Sequence, residues 1–319
     1  MSLKILFFSL VTFFSTCNAN ATLKIVATTG MVADIVEQVV GVHGHIDSLM
    51  GEGVDPHLYK PTASDARNIM NADMVFYSGL LLEGRMTDTF IKAARMGKVV
   101  FPVTELIDET FLLEPAEFEG HWDPHVWMDV SAWSQAVDAV AKALCEQDQM
   151  HCEEYNSNAK IYKEQLHRLH QYALRSIASI PMNQRILITA HDAFNYFGKA
   201  YGIEVVGIQG LSTESEAGIE DVNRLVHLLV DREITSIFVE SSVSDRNVNA
   251  LIEGAASKGH TVVIGGRLFS DAMGKGGTYK GTYIGMIDHN ITTITKGLGG
   301  SAPEQGFASI LQNKDVEKQ

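Results

Sequence analysis

Apolar positions along the chain switch repeatedly between a strand-like run and a helical stripe. Leu23–Ala27 reads as a strand; Met31, Val32, Ile35, Val36, Val39 and Val40 then recur at helical spacing until Gly41. Ile46–Met50 reads as a second strand. Thr62, with Asp65 three residues on, has the form of a capping box and opens a helix to Asn71. Met74–Tyr77 is a short buried strand, Met86–Arg95 a helix and Lys98–Val103 a fourth strand. After an irregular stretch, Thr104–Gly120, comes a stripe of Trp133, Ala136, Val137, Val140, Ala141 and Leu144. A long helix is predicted from Glu153 to Ile180. It has no internal glycine or proline and is closed by Pro181.

The second half repeats this grammar. Arg185–Thr189, Glu204–Ile208, Ser236–Glu240 and Thr261–Ile264 read as strands, separated by helices over Phe194–Tyr201, around Ile219–Val230 and from Ser244 to Lys258. A glycine-rich loop, Gly265–Gly281, leads to a last helix over Thr282–Leu298. Strands alternating with helices imply parallel sheets with right-handed crossovers. The expected fold class is α/β, with two parallel-sheet lobes braced by one long rigid helix. The expected divisions are a leader over 1–21, a first lobe over 22–152, the linking helix over 153–181, a second lobe over 182–300 and a polar tail over 301–319.

The leader is read from Lys4, the apolar run Ile5–Phe14 and the small-x-small triplet Ala19-Asn20-Ala21. Cleavage after Ala21 would deliver the chain to the periplasm; lipidation of Cys17 is the alternative, although the usual small residue before the cysteine is absent. A net charge of −14 argues against nucleic acid and anionic membranes as partners and suits a protein that handles cations. No later apolar run is long enough to insert stably in a membrane, and a monomer is expected. Cys145 and Cys152 are an even pair across a short polar turn, where a disulfide would close a small loop.

The chemistry lies in three stretches that place histidine next to aspartate. Asp55-Pro56-His57 is repeated as Asp123-Pro124-His125, and Ala190-His191-Asp192 follows the run Ile186-Leu187-Ile188. One such stretch is more often a turn than a site, but the repetition points to one metal ion. Neutral imidazole is the commonest protein ligand for transition metals, and each proline stiffens the loop presenting its histidine. In open α/β sheets ligands gather beyond the carboxyl ends of the strands. The loop after the last strand there offers Asp271, so the candidate metal ligands are His57, His125, His191 and Asp271. Three imidazoles and a carboxylate suit zinc, manganese or iron as one divalent ion. Asp55, Asp123 and Asp192 are candidates to orient the imidazoles. His121, four residues before His125, is set aside because a proline between them prevents a shared helical face.

Val54-Asp55-Pro56-His57, Asp123-Pro124-His125-Val126-Trp127-Met128-Asp129, Thr189-Ala190-His191-Asp192-Ala193-Phe194 and Leu268-Phe269-Ser270-Asp271 occur in the order found in a known family. Over nearly the whole chain from Thr22 to about Gly300, the sequence resembles the zinc/manganese-binding extracellular solute-binding proteins of ABC importers, solute-binding family 9. The resemblance implies two α/β lobes on one rigid helix, with the metal in the cleft. It implies His57 and His125 from the first lobe, His191 and Asp271 from the second, and delivery of the metal to an ABC transporter permease in the membrane. It also implies no enzymatic activity. Some zinc-specific relatives carry a histidine-rich loop before the second motif, and Leu112–Gly120 contains no histidine; manganese-selective relatives often have glutamate where this chain has His191. The competing function is an exported zinc metallohydrolase. It is disfavoured because neither H-E-x-x-H nor G-x-S-x-G occurs, and a tetrahedral site with four protein ligands leaves no position for water.

Overall fold

The structure, a computed structural model, describes residues 22–310. The expected leader over 1–21, with Cys17 and Ala21, lies outside the described residues, as does the end of the chain from 311 onward. The first lobe contains strands β1 (Leu23–Ala27), β2 (Gly44–Ser48), β3 (Met74–Tyr77) and β4 (Val99–Pro102), all parallel and ordered β2-β1-β3-β4. Helices α1 (Gly30–Val40), α2 (Ala63–Asn71) and α3 (Thr87–Arg95) are the crossovers, and α4 (Val130–Gln147) follows the irregular stretch. The stripe on α1 is the face that packs: Met31, Val32, Ile35, Val36, Val39 and Val40 are all buried. Thr62 and Asp65 make the reciprocal capping box that starts α2.

The linking helix α5 spans Cys152–Ala178. Its 27 residues extend about 40 Å at the α-helical rise. Glu153 and Glu154 in the first turn and Arg175 in the last complement the helix dipole. Tyr155, Tyr162, Leu166, Leu169, Tyr172 and Ile177 form one buried face. That face packs on α1 and α4 of the first lobe and on α9 (Tyr283–Gly297) of the second. One core therefore runs along the helix from lobe to lobe; Leu166→Ala would cost about 2–5 kcal/mol by opening a cavity in it. A disulfide between Cys145 and Cys152 ties the end of α4 to the start of α5. Closing so short a loop contributes roughly 2–3 kcal/mol.

The second lobe has β5 (Ile186–His191) paired with β6 (Glu204–Gln209) and β7 (Ser236–Glu240) paired with β8 (Val263–Leu268), again parallel. Strands β5 and β7 lie side by side, so the two pairs continue each other. Helices α6 (Asn195–Tyr201), α7 (Ile219–Asp231) and α8 (Arg246–Ser257) cover the faces. Among the described residues no helix is long and apolar enough to cross a membrane.

Three features differ from the sequence reading. Strand β2 begins at Gly44, two residues earlier than Ile46, because its alternating half-exposed pattern hides the start; Leu49 and Met50 continue only as single backbone bonds to Ala27 and Thr28. Gly265 and Gly266 belong to β8, not to a loop. A Cβ on Gly265 would come within 2.2 Å of Ser236 Oγ, and one on Gly266 within 2.3 Å of Thr293 Cγ2, so they are glycine because the neighbours leave no room. The tail expected to be polar from 301 docks through Phe307, which is buried against the Tyr172 ring while its N–H donates to Asp288.

Candidate metal centre

Each candidate ligand leaves the carboxyl end of a strand. His57 sits in the turn after β2, and His125 follows the long connection from β4. His191 is the last residue of β5, and Asp271 lies three residues beyond β8. The two lobes face each other there, and the four side chains converge. His57, His125, His191 and Asp271 each offer a donor atom, all within 4.8 Å of one another. His125 Nε2 is 3.5 Å from Asp271 Oδ1, His191 Nε2 is 3.2 Å from Asp271 Oδ2, and His57 Nε2 is 3.2 Å from His125 Nε2.

The set is deeply buried: His125 and His191 are 0 % exposed, Asp271 1 % and His57 7 %. Yet His191 Nε2 and both Asp271 carboxylate oxygens have no hydrogen-bond partner, although Nε2 and Oδ2 approach to 3.2 Å. Buried polar atoms are nearly always paired, so three such orphans aimed at one point mark a place for a cation. Three nitrogens and a carboxylate fit a first-row transition ion by donor chemistry.

Carboxylates behind two of the rings fix which nitrogen faces the centre. Asp123 accepts from the His125 backbone N–H at 2.9 Å and from its Nδ1 at 2.8 Å. Glu240, at the end of β7, accepts from the His191 backbone N–H at 2.8 Å and from its Nδ1 at 2.5 Å. Both bonds leave Nε2 for the centre. Asp55 takes the backbone N–H of His57 at 2.9 Å rather than its ring. Asp192 accepts from Asn195 at 3.0 Å. Glu240 was missed by sequence reasoning: it lies 49 residues from His191 at the end of an apolar strand and carries no local motif. His121 is exposed, its ring tilted against Phe118 at 5.2 Å, and does not join the cluster.

The electrostatics of the cluster are uneven. Burial drives the His57 imidazole down to about 3, so it is neutral. Burial also works to remove the proton of His191, but Asp271 and Glu240 outweigh it and hold the ring well above the usual histidine range. For Asp271, burial opposes ionisation, and the facing imidazoles, His191 first, overcome it and hold the carboxyl far below the usual carboxylate range.

A two-lobed α/β protein on a rigid helix, with a buried histidine–carboxylate set between the lobes, defines a cleft receptor for a small cation. The chain belongs to the family described as ZnuA, zinc-uptake complex component A, periplasmic, which matches residues 25–297. It is 48% identical over 281 residues to the manganese-binding lipoprotein MntA of Bacillus subtilis, covering 88% of this chain and 91% of the relative. The solved structure of the periplasmic zinc-binding protein TroA from Treponema pallidum superposes with a TM-score of 0.84 at 44% identity, covering 87% of this chain and 99% of that one. The Fe(III)-bound YtgA of Chlamydia trachomatis superposes with a TM-score of 0.77 at 25% identity, covering 89% and 100%.

Proposed function

We propose that the protein captures one divalent transition metal ion between His57, His125, His191 and Asp271 and hands it to the permease of an ABC importer. The observation that carries this reading is the buried, unpaired set of donor atoms, His191 Nε2 and both Asp271 oxygens, facing one another across the lobes. Relatives are named as metal ABC transporter substrate-binding lipoproteins, which supports transport over hydrolysis.

The cargo is zinc, manganese or iron. Relatives are named for manganese and zinc, a structural neighbour is described as Fe(III)-bound, and the donor set accepts all three metals. Delivery to a permease requires an extracytoplasmic location. The lipoprotein names favour anchoring through Cys17 over free release after Ala21. Mass spectrometry of the mature N-terminus separates the two. Calorimetric titration of the chelator-stripped protein with zinc, manganese and ferrous ions tests the reading itself: one ion per chain is expected, and absence of saturable binding for all three overturns it.

A further inference from the structure

The lobes meet on two sides of the metal centre, and the two contacts are built differently. On one side Trp127, two residues after His125, donates to the Ser270 carbonyl at 2.9 Å, and Tyr283 donates to the Trp127 carbonyl at 2.7 Å. His125 and Asp271 are thereby held in one buried body. On the other side the contact is a single loop after β6, and it reaches the His57 turn. Thr213 Oγ1 donates to Asp55 Oδ2 at 2.5 Å, while Asp55 Oδ1 accepts the His57 N–H at 2.9 Å. One residue on, Glu214 takes the Arg85 Nε–H at 2.7 Å. Open space flanks this bridge on both sides. A cleft of about 370 Å³ is lined by His57, Leu81, Arg85, Leu211 and Glu214, and another of about 170 Å³ by Asp55, Thr213 and Gln209.

The loop is rooted beside a ligand. Gln209 pairs with His191 in the β5–β6 register, and its amide donates to the Ser215 carbonyl at 3.1 Å. Thr213 thus moves with His191 while acting on His57. His57 is also the ligand with the most residual exposure. We propose that Thr213 is a positioning residue that sets His57 as a ligand through Asp55, so that parting of the 211–214 loop from the His57 turn is the step that opens the site to metal exchange. This rests on the metal-binding reading above. A carboxylate shared between a threonine across the cleft and the turn's own N–H makes lobe closure and completion of the ligand set one event.

The test is chelator-chased release of zinc from the loaded full chain, followed in stopped flow. Thr213→Val keeps the volume and loses the hydroxyl, and should release about tenfold to a hundredfold faster, the usual effect of removing a group that orients a ligand. Thr213→Ser keeps the donor and should stay within about twofold of the parent, on the same scale. In a His57→Ala background Thr213→Val should add no further acceleration, because its target is gone. Thr213→Ala serves the same comparison where the valine variant does not fold. Unchanged release in Thr213→Val, or equal acceleration with and without His57, overturns the proposal. Failure of the parent chain to hold zinc at all overturns the metal-binding reading instead.

Discussion

The Asp271 loop and the His57 turn each bring one ligand to the same point, by opposite means. Asp271 arrives on a segment locked into the protein. Ser270 and Asp271 are buried, the Phe269 N–H and carbonyl both bond the Asn290 side chain, and Trp127 holds the next carbonyl. His57 arrives on a turn that the Thr213–Asp55 bond supports from the other lobe, between two open clefts. The glycine-rich composition around Asp271 does not leave its backbone loosely packed. Gly274 and Gly281 allow close backbone packing: the Gly274 N–H bonds the Lys280 carbonyl at 2.8 Å, and a Cβ on Gly281 would meet the Lys275 carbonyl at 2.2 Å. At Gly274 and Gly281 glycine marks tight construction rather than freedom. Exchange of the ion should therefore begin at His57 and not at Asp271.

The contrast can be broken most forcefully at the two ligands themselves. Asp271→Ala removes the one anion facing three imidazoles and should cost metal binding about 3–5 kcal/mol, the scale of an unpartnered buried charge. His57→Ala should cost about 1.5–3 kcal/mol, the scale of a hydrogen bond to a charged group, since the other three ligands stay in place. Calorimetry on both variants checks the order, and a larger loss at His57 would reverse the assignment of rigid and loose sides. Next in size is Glu240→Gln, which frees the His191 ring and should weaken binding about tenfold to a hundredfold, as should Asp123→Asn for His125. His121→Ala, at an exposed ring outside the cluster, should leave affinity unchanged in the same titration.

Protons sharpen the comparison further. The His191 imidazole, held protonated by Asp271 and Glu240, must lose its proton to coordinate, whereas His57 is already neutral. Metal uptake near neutral pH should release about one proton, and affinity should fall as pH falls. Titrations in two buffers of different ionisation enthalpy read this directly; a buffer-independent heat would show that no proton leaves.

The locked side also responds to pH. Asp34 on α1 accepts from Tyr162 of α5 at 2.6 Å, and burial raises its carboxyl from 3.8 to about 6. The folded chain then holds a proton that the unfolded chain has already lost. Apo stability should consequently fall as pH rises from about 4 to about 6, by ~3 kcal/mol at most. Asp34→Asn should flatten that slope in urea melts at pH 4.5 and 7, and an unaltered slope would place its origin elsewhere.

Much of this was readable from the chain because the information is local. The repeated Asp-Pro-His and the strand ending in His191 point to three candidate ligands, and alternating periodicity gives the parallel lobes and the long helix. What escaped depends on contacts between distant residues. Glu240 ends the apolar strand Ser236–Glu240 and gains its role only where β5 lies beside β7. Thr213 sits in a polar loop and matters only when the lobes meet. Gly265 and Gly266 imitate a loop in composition, yet they are strand residues, the first against Ser236 and the second beneath Thr293 of α9. Phe307 is a single apolar residue in a polar stretch, with no periodicity to reveal that it docks.

X-ray absorption of the zinc-loaded chain tests the central claim most directly, because it reads the atoms around the ion. The account predicts three imidazoles, with their characteristic multiple scattering, and one carboxylate. It also predicts that His191→Ala removes one imidazole from that count. An ion surrounded by oxygen alone, or a spectrum unaltered in His191→Ala, would contradict the assignment of His57, His125, His191 and Asp271 as the metal site.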